Sequence, residues 1–149
     1  INSDYIGCAD DTCLATGELL PVKDTPFDFN KRKRIGQDLE ADHIQLKNAF
    51  GYDHSFVLNG TENQLTLEEP VSGRRLIIST TAPVVQVYTG NFLKDGCIGK
   101  AGRVYENREG VALETQLMPN AINTEENPST ILRKGDKFES NTKYVFEIM

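Results

Sequence analysis

The sequence contains no tryptophan, few cysteines and no long hydrophobic run. Its three cysteines, Cys8, Cys13 and Cys97, leave at least one thiol unpaired, and they have neither Cys-x-x-Cys spacing nor companion histidines at zinc-finger distance. We therefore predict reduced thiols and no metal site. No apolar segment approaches the roughly 18 residues that a membrane-spanning helix needs, and no basic, hydrophobic leader opens the chain. These absences favour a cytoplasmic protein without membrane contact.

The sequence also has fewer basic than acidic residues. The chain has 16 basic and 22 acidic residues, and the resulting net charge of −6 argues against binding to a phosphate backbone. We expect no nucleic-acid partner. The 149 residues are 38% apolar and 26% charged, the proportions of an ordinary globular domain with a real core. No repeat, low-complexity tract or linker divides the sequence, so we predict a single unit over residues 1–149.

Helical periodicity is scarce, whereas strand-like segments recur along the chain. Only the segment from Lys31 to Lys47 has apolar residues at partly helical spacing, and Gly36 weakens that pattern. Short runs rich in branched or aromatic residues, bounded by turn residues, predict strands instead. These runs are Leu19-Leu20, Ser55–Leu58, Gln64–Glu68, Arg75–Thr80, Val84–Tyr88, Val111–Leu117 and Lys143–Ile148. Strands without crossover helices imply an all-β fold, an antiparallel β-sandwich whose loops carry the chemistry.

The tripeptide Asn59-Gly-Thr61 has two interpretations. It has the form of a glycosylation sequon, but it also lies between two predicted strands. Asn-Gly is a strong short-range signal for a tight hairpin turn, because both residues tolerate a positive φ. We therefore predict that it forms part of a hairpin connection.

Glu114 is a carboxylate inside an apolar run that has the pattern of a half-buried strand. Alternation along that strand places Leu113 and Thr115 on one face, and Glu114 and Gln116 on the other. An acidic residue in a strand usually lies on a solvated outer face. A polar pair on one side of a sheet also fits the floor of a cleft. The residues alone leave both interpretations open.

Three segments, in this order, resemble the galactose mutarotase (aldose 1-epimerase) family. They are Gly51-Tyr-Asp-His-Ser-Phe56, Val84-Val-Gln-Val-Tyr-Thr-Gly-Asn-Phe-Leu-Lys-Asp-Gly96 and Gly110-Val-Ala-Leu-Glu-Thr-Gln-Leu-Met-Pro-Asn-Ala-Ile-Asn123. Shorter matches flank them at Thr16-Gly-Glu18, Thr25-Pro-Phe-Asp-Phe29, Ile35-Gly36, Asn127–Gly135 and Tyr144-Val-Phe146. The resemblance covers nearly the whole chain but only the carboxyl-terminal half of the family's domain. It implies the carboxyl-terminal part of a mutarotase-type β-supersandwich, with the general-acid histidine in the amino-terminal half.

The resemblance also implies an activity, the interconversion of the α and β anomers of hexoses such as galactose and glucose. This reaction needs one base and one acid and no cofactor, because only protons are transferred as the sugar ring opens and closes. In the family the glutamate of the Leu-Glu-Thr-Gln segment is the base, which is Glu114 here. We expect this carboxylate to face a partly dry cleft.

The same resemblance assigns Asp53 and Gln86 to sugar binding. An ionised aspartate accepts hydrogen bonds from two hydroxyls, and Gly51 permits a tight backbone before it. Taken alone, Asp53 would more often be a turn residue that bonds its own backbone, and Gln86 would satisfy a neighbouring strand. His54 is a tempting acid, but it adjoins Asp53 on an extended segment. Its side chain should therefore point to the opposite face and be structural.

Two alternatives to this function stay open. The basic run Lys31-Arg-Lys-Arg34 and the pair Arg74-Arg75 would suit a phosphorylated sugar, although a solvated loop explains them as well. A non-catalytic carbohydrate-binding or structural β-sandwich would keep the sugar contacts without the acid. Glu114 favours the enzyme, since a binding module has less use for a base. We expect the chain to need its amino-terminal half or to self-associate.

Overall fold

A computed structural model of the chain describes residues 1–94, 96, 98–124 and 130–149. Its strands pair in antiparallel fashion and form two sheets. The five-stranded sheet has the order β2-β1-β3-β6-β7, and the three-stranded sheet has the order β4-β5-β8. The strands are β1 (Ser3–Ala9), β2 (Ala15–Pro21), β3 (Asp53–Leu58), β4 (Leu65–Glu69), β5 (Arg74–Thr80), β6 (Val84–Tyr88), β7 (Ala112–Gln116) and β8 (Thr142–Ile148). The helical elements are α1 (Ile44–Asn48) and short 3-10 turns at Ile35–Gln37 and Ala121–Asn123.

The larger of two hydrophobic clusters among the described residues joins the two sheets. Ile6 of β1 and Phe56 of β3 enter it from the five-stranded sheet, and Leu65 of β4 and Ile78 of β5 enter it from the three-stranded sheet. All four side chains are buried, and so is Phe27, which belongs to the same cluster. The two-residue period of a strand sends every second side chain into this core, which is why the branched and aromatic runs fold as strands. Burial of one such side chain stabilises the fold by about 1.5–3 kcal/mol.

The antiparallel all-β sandwich predicted from the sequence is confirmed. The predicted strand over Val84–Tyr88 begins and ends at those residues. The sequence analysis missed β1, because Ser3–Ala9 contains small and polar residues and sends only Ile6 deep into the hydrophobic core. In the segment predicted to contain a helix or turn, only α1 and a 3-10 turn form. The side chain of His43 caps α1 by accepting the backbone N–H of Gln45 at 3.2 Å.

The hairpin predicted at Asn59-Gly-Thr61 is wrong. The flanking strands β3 and β4 lie in different sheets and do not pair. The tripeptide instead begins the connection from one sheet to the other. Gly60 has a φ of +72°, the left-handed conformation that glycine adopts without strain. The Asn-Gly pair thus correctly indicates a turn of the backbone. Local sequence does not specify with which strand the next strand pairs.

Some sequence predictions concern residues outside the described ranges. The residues concerned are Cys97, Asp95 near the end of the family-like segment Val84–Gly96, and residues 125–129, which overlap the family-like segment Asn127–Gly135. Cys8 and Cys13 form no disulfide within the described part of the chain, and burial raises the pKa of the Cys8 thiol. No helix among the described residues has the length and apolar character required to cross a membrane.

The inner side of the three-stranded sheet is only partly covered. Tyr144 and Phe146 of β8 lie opposite Ile78 and Leu76 of β5, so they face the same side as the core. Nevertheless they are 46% and 78% exposed. A cavity of about 1430 Å³ lies between the sheets, bordered by apolar side chains of β4, β6 and β7. The described chain therefore leaves part of its sandwich interior without a partner.

Candidate active site

A row of polar side chains crosses the five-stranded sheet on the face opposite the core. Ser55 of β3 pairs with Gln86 of β6, and Gln86 pairs with Glu114 of β7. Residues directly opposite in antiparallel strands project to the same face, with Cβ atoms roughly 4.5–5.5 Å apart. Asp53 lies two residues before Ser55 and therefore shares this surface, which we call the polar face. The structure thus brings the predicted residues Asp53, Gln86 and Glu114 together.

Gln86 links its neighbours through its side-chain amide. Its Nε2 atom donates to Oδ1 of Asp53 at 2.7 Å, and its Oε1 atom accepts a hydrogen bond from Oγ of Ser55. The Glu114 carboxylate makes no hydrogen bond or ion pair with another residue that the structure describes, so it is available at one end of the row. Sequence reasoning missed Ser55. The available signal was its position two residues after Asp53 on a strand.

A pocket of about 80 Å³ lies over the polar face beside Asp53 and Gln86. The hairpin of β1 and β2 forms one wall through Glu18, and Met118 forms another. Gly7 of β1 allows this close packing, because a Cβ atom there would lie 3.2 Å from Sδ of Met118. The pocket therefore offers a small polar ligand a carboxylate acceptor and an amide donor next to each other.

The residues just before Asp53 are held by hydrogen bonds to the segment that follows β6. Gly51 has a φ of +142°, and the side chain of Asn91 occupies the space that a Cβ atom would need. Nδ2 of Asn91 donates to the carbonyl oxygen of Tyr52 at 3.1 Å. The backbone N–H of Tyr52 donates in turn to Oγ1 of Thr89 at 3.2 Å. Hydrogen bonds thus join the family-like segments Gly51–Phe56 and Val84–Gly96, and they fix Asp53 at the start of β3.

His54 lies on the core side of β3, as the sequence analysis predicts. Its side chain is 1% exposed, and its ring packs edge-on against Phe27 with 4.7 Å between ring centroids. Its Nδ1 atom accepts the backbone N–H of Asp53 at 3.1 Å. Burial, and to a smaller extent the nearby His43, lower the pKa of His54 to about 4. A neutral, buried imidazole on this side cannot deliver a proton to a ligand on the polar face.

We predict that acidification destabilises the protein through His54. Its pKa of about 4 in the folded chain lies below the ordinary value of about 6.5 in an unfolded chain. Between these two values the unfolded state binds the additional proton, so the free energy of unfolding falls as the pH drops. The loss from this group should approach about 3 kcal/mol between about pH 7 and about pH 4. Urea unfolding at these two pH values measures it.

The matched variant for this prediction is His54→Asn. Its amide oxygen can accept the N–H of Asp53, but the side chain does not titrate. The variant should be less stable at neutral pH, because it leaves a cavity, yet lose less stability on acidification. Burial lowers the pKa of His43 as well, so some pH dependence should remain. An equal loss on acidification in both proteins would show that His54 is not its source.

Glu114 lies on β7, an edge strand of the five-stranded sheet, and its side chain is exposed. The partly dry cleft expected around it is therefore not formed by the described residues. The reason is topological, because among the described residues β7 has a neighbouring strand on one side only. Burial of this carboxylate requires additional structure over the polar face.

The basic residues noted in the sequence lie away from the polar face. Arg32 and Arg75 both bond the carboxylate of Glu68, at 3.0 Å and 2.8 Å. Lys33 pairs with Asp38 at 2.8 Å. Arg32 and Lys33 border the cavity between the sheets rather than the pocket over the polar face. Their positions give the phosphorylated-sugar alternative no support. Within the described ranges, no group of three or more His, Cys, Asp or Glu side chains could hold a metal ion.

The sequence matches the family model of aldose 1-epimerase over residues 1–145. It is 37% identical to galactose mutarotase from Sus scrofa, over 99% of this chain and 43% of that protein. It is 34% identical to aldose 1-epimerase from Haemophilus influenzae, over 99% of this chain and 44% of that protein. The chain therefore spans less than half the length of these relatives.

Solved structures give the same picture. A crystal structure of an aldose epimerase homologue from C. elegans matches with a TM-score of 0.87 and 30% identity, over 99% of this chain and 44% of that chain. Galactose 1-epimerase from Lactobacillus acidophilus matches with a TM-score of 0.69 and 27% identity, over 99% of this chain and 42% of that chain. In both structures the fold described here forms part of a longer polypeptide.

Proposed function

Because this chain belongs to the aldose 1-epimerase family, we propose that residues 1–149 form the carboxyl-terminal part of an enzyme that interconverts the α and β anomers of hexoses such as galactose and glucose. The observation that carries this proposal is the placement of Asp53, Gln86 and Glu114 side by side on one sheet face. Sugar hydroxyls need neighbouring acceptors and donors, and the chemistry needs a base. The polar face supplies all three.

The proposed reaction consists of two proton transfers and their reversal. Glu114 removes the proton from the C1 hydroxyl while an acid gives a proton to the ring oxygen. The bond between C1 and the ring oxygen breaks, and C1 becomes an aldehyde carbon. Rotation about the C1–C2 bond presents the other face of the carbonyl, and the reverse transfers close the ring. No redox change or group transfer occurs, so the reaction requires no cofactor.

Asp53 and Gln86 position the sugar in this proposal. The hydrogen bond between them uses Oδ1 of Asp53 and one amide N–H of Gln86. Oδ2 of Asp53 and the second N–H of Gln86 therefore remain for the ligand, as one acceptor beside one donor. Adjacent hydroxyls of a hexose match this pair. A sugar held there presents its C1 hydroxyl to Glu114, the next residue along the row.

We assign the acid to an amino-terminal half of the kind that the longer relatives contain. His54 cannot supply the proton, because it is buried on the core side of β3, where its ring packs against Phe27. The uncovered interior supports the same assignment. Phe146 faces the core side of its sheet yet is 78% exposed, and further strands of the sandwich would cover it. The complete site thus combines the base and sugar contacts described here with an acid from that half.

Variants of the two sugar contacts test the proposed site. In a protein that contains both halves, Asp53→Ala and Gln86→Ala should each lower kcat/KM for α-glucose or α-galactose roughly 5- to 150-fold. This range corresponds to the loss of about 1–3 kcal/mol when a hydrogen-bonding partner is removed from a buried polar group. Polarimetry of the freshly dissolved α anomer measures the rate of mutarotation.

The control for these variants is Asp42→Ala, which removes an exposed carboxylate that pairs with Lys47 outside the polar face. It should leave the kinetics unchanged, because an exposed ion pair contributes little. Normal kinetics in both the Asp53 and the Gln86 variants would make those residues structural. Sugar binding without any mutarotation by the unsubstituted protein would favour the non-catalytic carbohydrate-binding alternative.

A further inference from the structure

We infer that Ser55 is a positioning residue, which fixes the orientation of the Gln86 amide and thereby sets which part of the sugar site donates and which accepts. The inference rests on the proposed function, because it concerns the same site. Ser55 lies between Asp53 and the core residue Phe56 on β3, directly opposite Gln86. It is 3% exposed, so its polar hydroxyl needs a hydrogen-bond partner within the protein.

The chemistry of the two neighbours determines how the amide lies. The Asp53 carboxylate can only accept hydrogen bonds when ionised, so the amide nitrogen of Gln86 must face it. The amide oxygen then points to the other side, where it needs a donor. The Ser55 hydroxyl donates to that oxygen, while Nε2 of Gln86 donates to Oδ1 of Asp53 at 2.7 Å. The three side chains form one directed chain of hydrogen bonds.

Removal of the hydroxyl would leave the amide without this restraint. The oxygen of Gln86 would lose its donor in a partly buried place, which carries a free-energy cost for that group. Rotation of the amide by half a turn would then bring its oxygen towards the Asp53 carboxylate, where two acceptors oppose each other. Both contacts of Asp53 and Gln86 with a sugar would be displaced, although neither residue had been changed.

Gly7 on the neighbouring strand has no side chain beside Ser55. A Cβ atom built on Gly7 would lie 3.8 Å from Cβ of Ser55, so the absence of a side chain at Gly7 leaves room beside the hydroxyl. Threonine carries the same hydroxyl on a side chain that strands accept readily. Ser55→Ala and Ser55→Thr therefore form a matched pair, in which only the first variant loses the donor.

The test is a double-mutant cycle measured by polarimetry on the protein that contains both halves. Ser55→Ala should lower kcat/KM about tenfold, whereas Ser55→Thr should stay within about threefold of the unsubstituted protein. In a Gln86→Ala background, Ser55→Ala should have almost no further effect, because the group it orients is already gone. Ser79→Ala is the control. It removes a hydrogen-bonded serine from β5 in the other sheet, where Oγ accepts the N–H of Asn63 at 2.9 Å.

The cycle separates this inference from the proposed function. If Gln86→Ala impairs the enzyme but Ser55→Ala does not, the inference is wrong and the sugar site stands. A tenfold loss from Ser55→Ala that persists in the Gln86→Ala background would also overturn it, since Ser55 would then act independently of Gln86. If Gln86→Ala itself has no effect, the assignment of Gln86 to sugar binding fails, and the role of Ser55 fails with it.

Discussion

Glutamine in place of Glu114 should slow mutarotation at least about a hundredfold in the protein that contains both halves. Glutamine keeps the size of the side chain and its place beside Gln86, but an amide cannot take a proton from the C1 hydroxyl near neutral pH. A hundredfold loss is the low end of what a positioned general base contributes, about 10² to 10⁴ in rate. The loss should fall on kcat, because Asp53 and Gln86 still bind the sugar.

Glu147→Gln is the matched control for this variant. Glu147 also lies on a strand and has a partly exposed carboxylate, but it belongs to β8 in the other sheet. Its contact with Arg75 at 3.5 Å is an exposed ion pair, which contributes little to stability. This control should keep the full polarimetric rate. A Glu114→Gln protein that also kept most of its rate would remove Glu114 from the role of base.

Much of the polar face was predictable, because the two-residue period of a strand decides which side chains share a face. The separation of Asp53 from His54 follows from that period alone, and so does the separation of Glu114 from Leu113. In the structure His54 and Leu113 pack against the core side, while Asp53 and Glu114 lie on the polar face. The roles predicted for Asp53 and Glu114 rest on the family-like motifs, because composition and period do not supply them.

The neighbours of each strand were not predictable from the sequence. β3 pairs with β6, and the intervening β4 and β5 lie in the other sheet. No local sequence signal indicates that the chain leaves one sheet after β3 and returns to it at β6, because strand pairing depends on long-range packing of the core. The same limit explains why the hydrogen bond between Ser55 and Gln86 was not foreseen. The contact of Gly51 with Asn91 was missed for the same reason.

We expect structure beyond the described residues to complete the environment of Glu114. The sequence pattern indicates a half-buried strand, yet β7 is an edge strand and the carboxylate is exposed. The alternation of apolar residues in a strand reflects every surface against which the strand packs in the complete fold. The exposure of a side chain reflects only the neighbours that are present. The exposed inner side of β8 shows the same disagreement. Both are consistent with the proposal that further strands complete the sandwich.

A polypeptide limited to these 149 residues should mutarotate sugars at least about a hundredfold more slowly than the same polypeptide combined with the amino-terminal half. The reason is that we assign the acid to the amino-terminal half, and general acid assistance contributes about 10² to 10⁴ in rate. Polarimetry before and after addition of the separately prepared half measures the difference. Recovery of activity on mixing would show that the half supplies what this chain lacks.

The same polypeptide should also associate with itself, because it exposes an apolar sheet face and unpaired strand edges. Light scattering on the purified chain measures its mass. Phe146→Thr should reduce the association, since Phe146 is 78% exposed on the uncovered side of β8. Val71→Thr, at a turn residue that is 94% exposed, is the matched control and should not change the mass. A monodisperse monomer that mutarotates sugar at an ordinary enzymatic rate would show that the acid lies within this chain and that the amino-terminal half is dispensable.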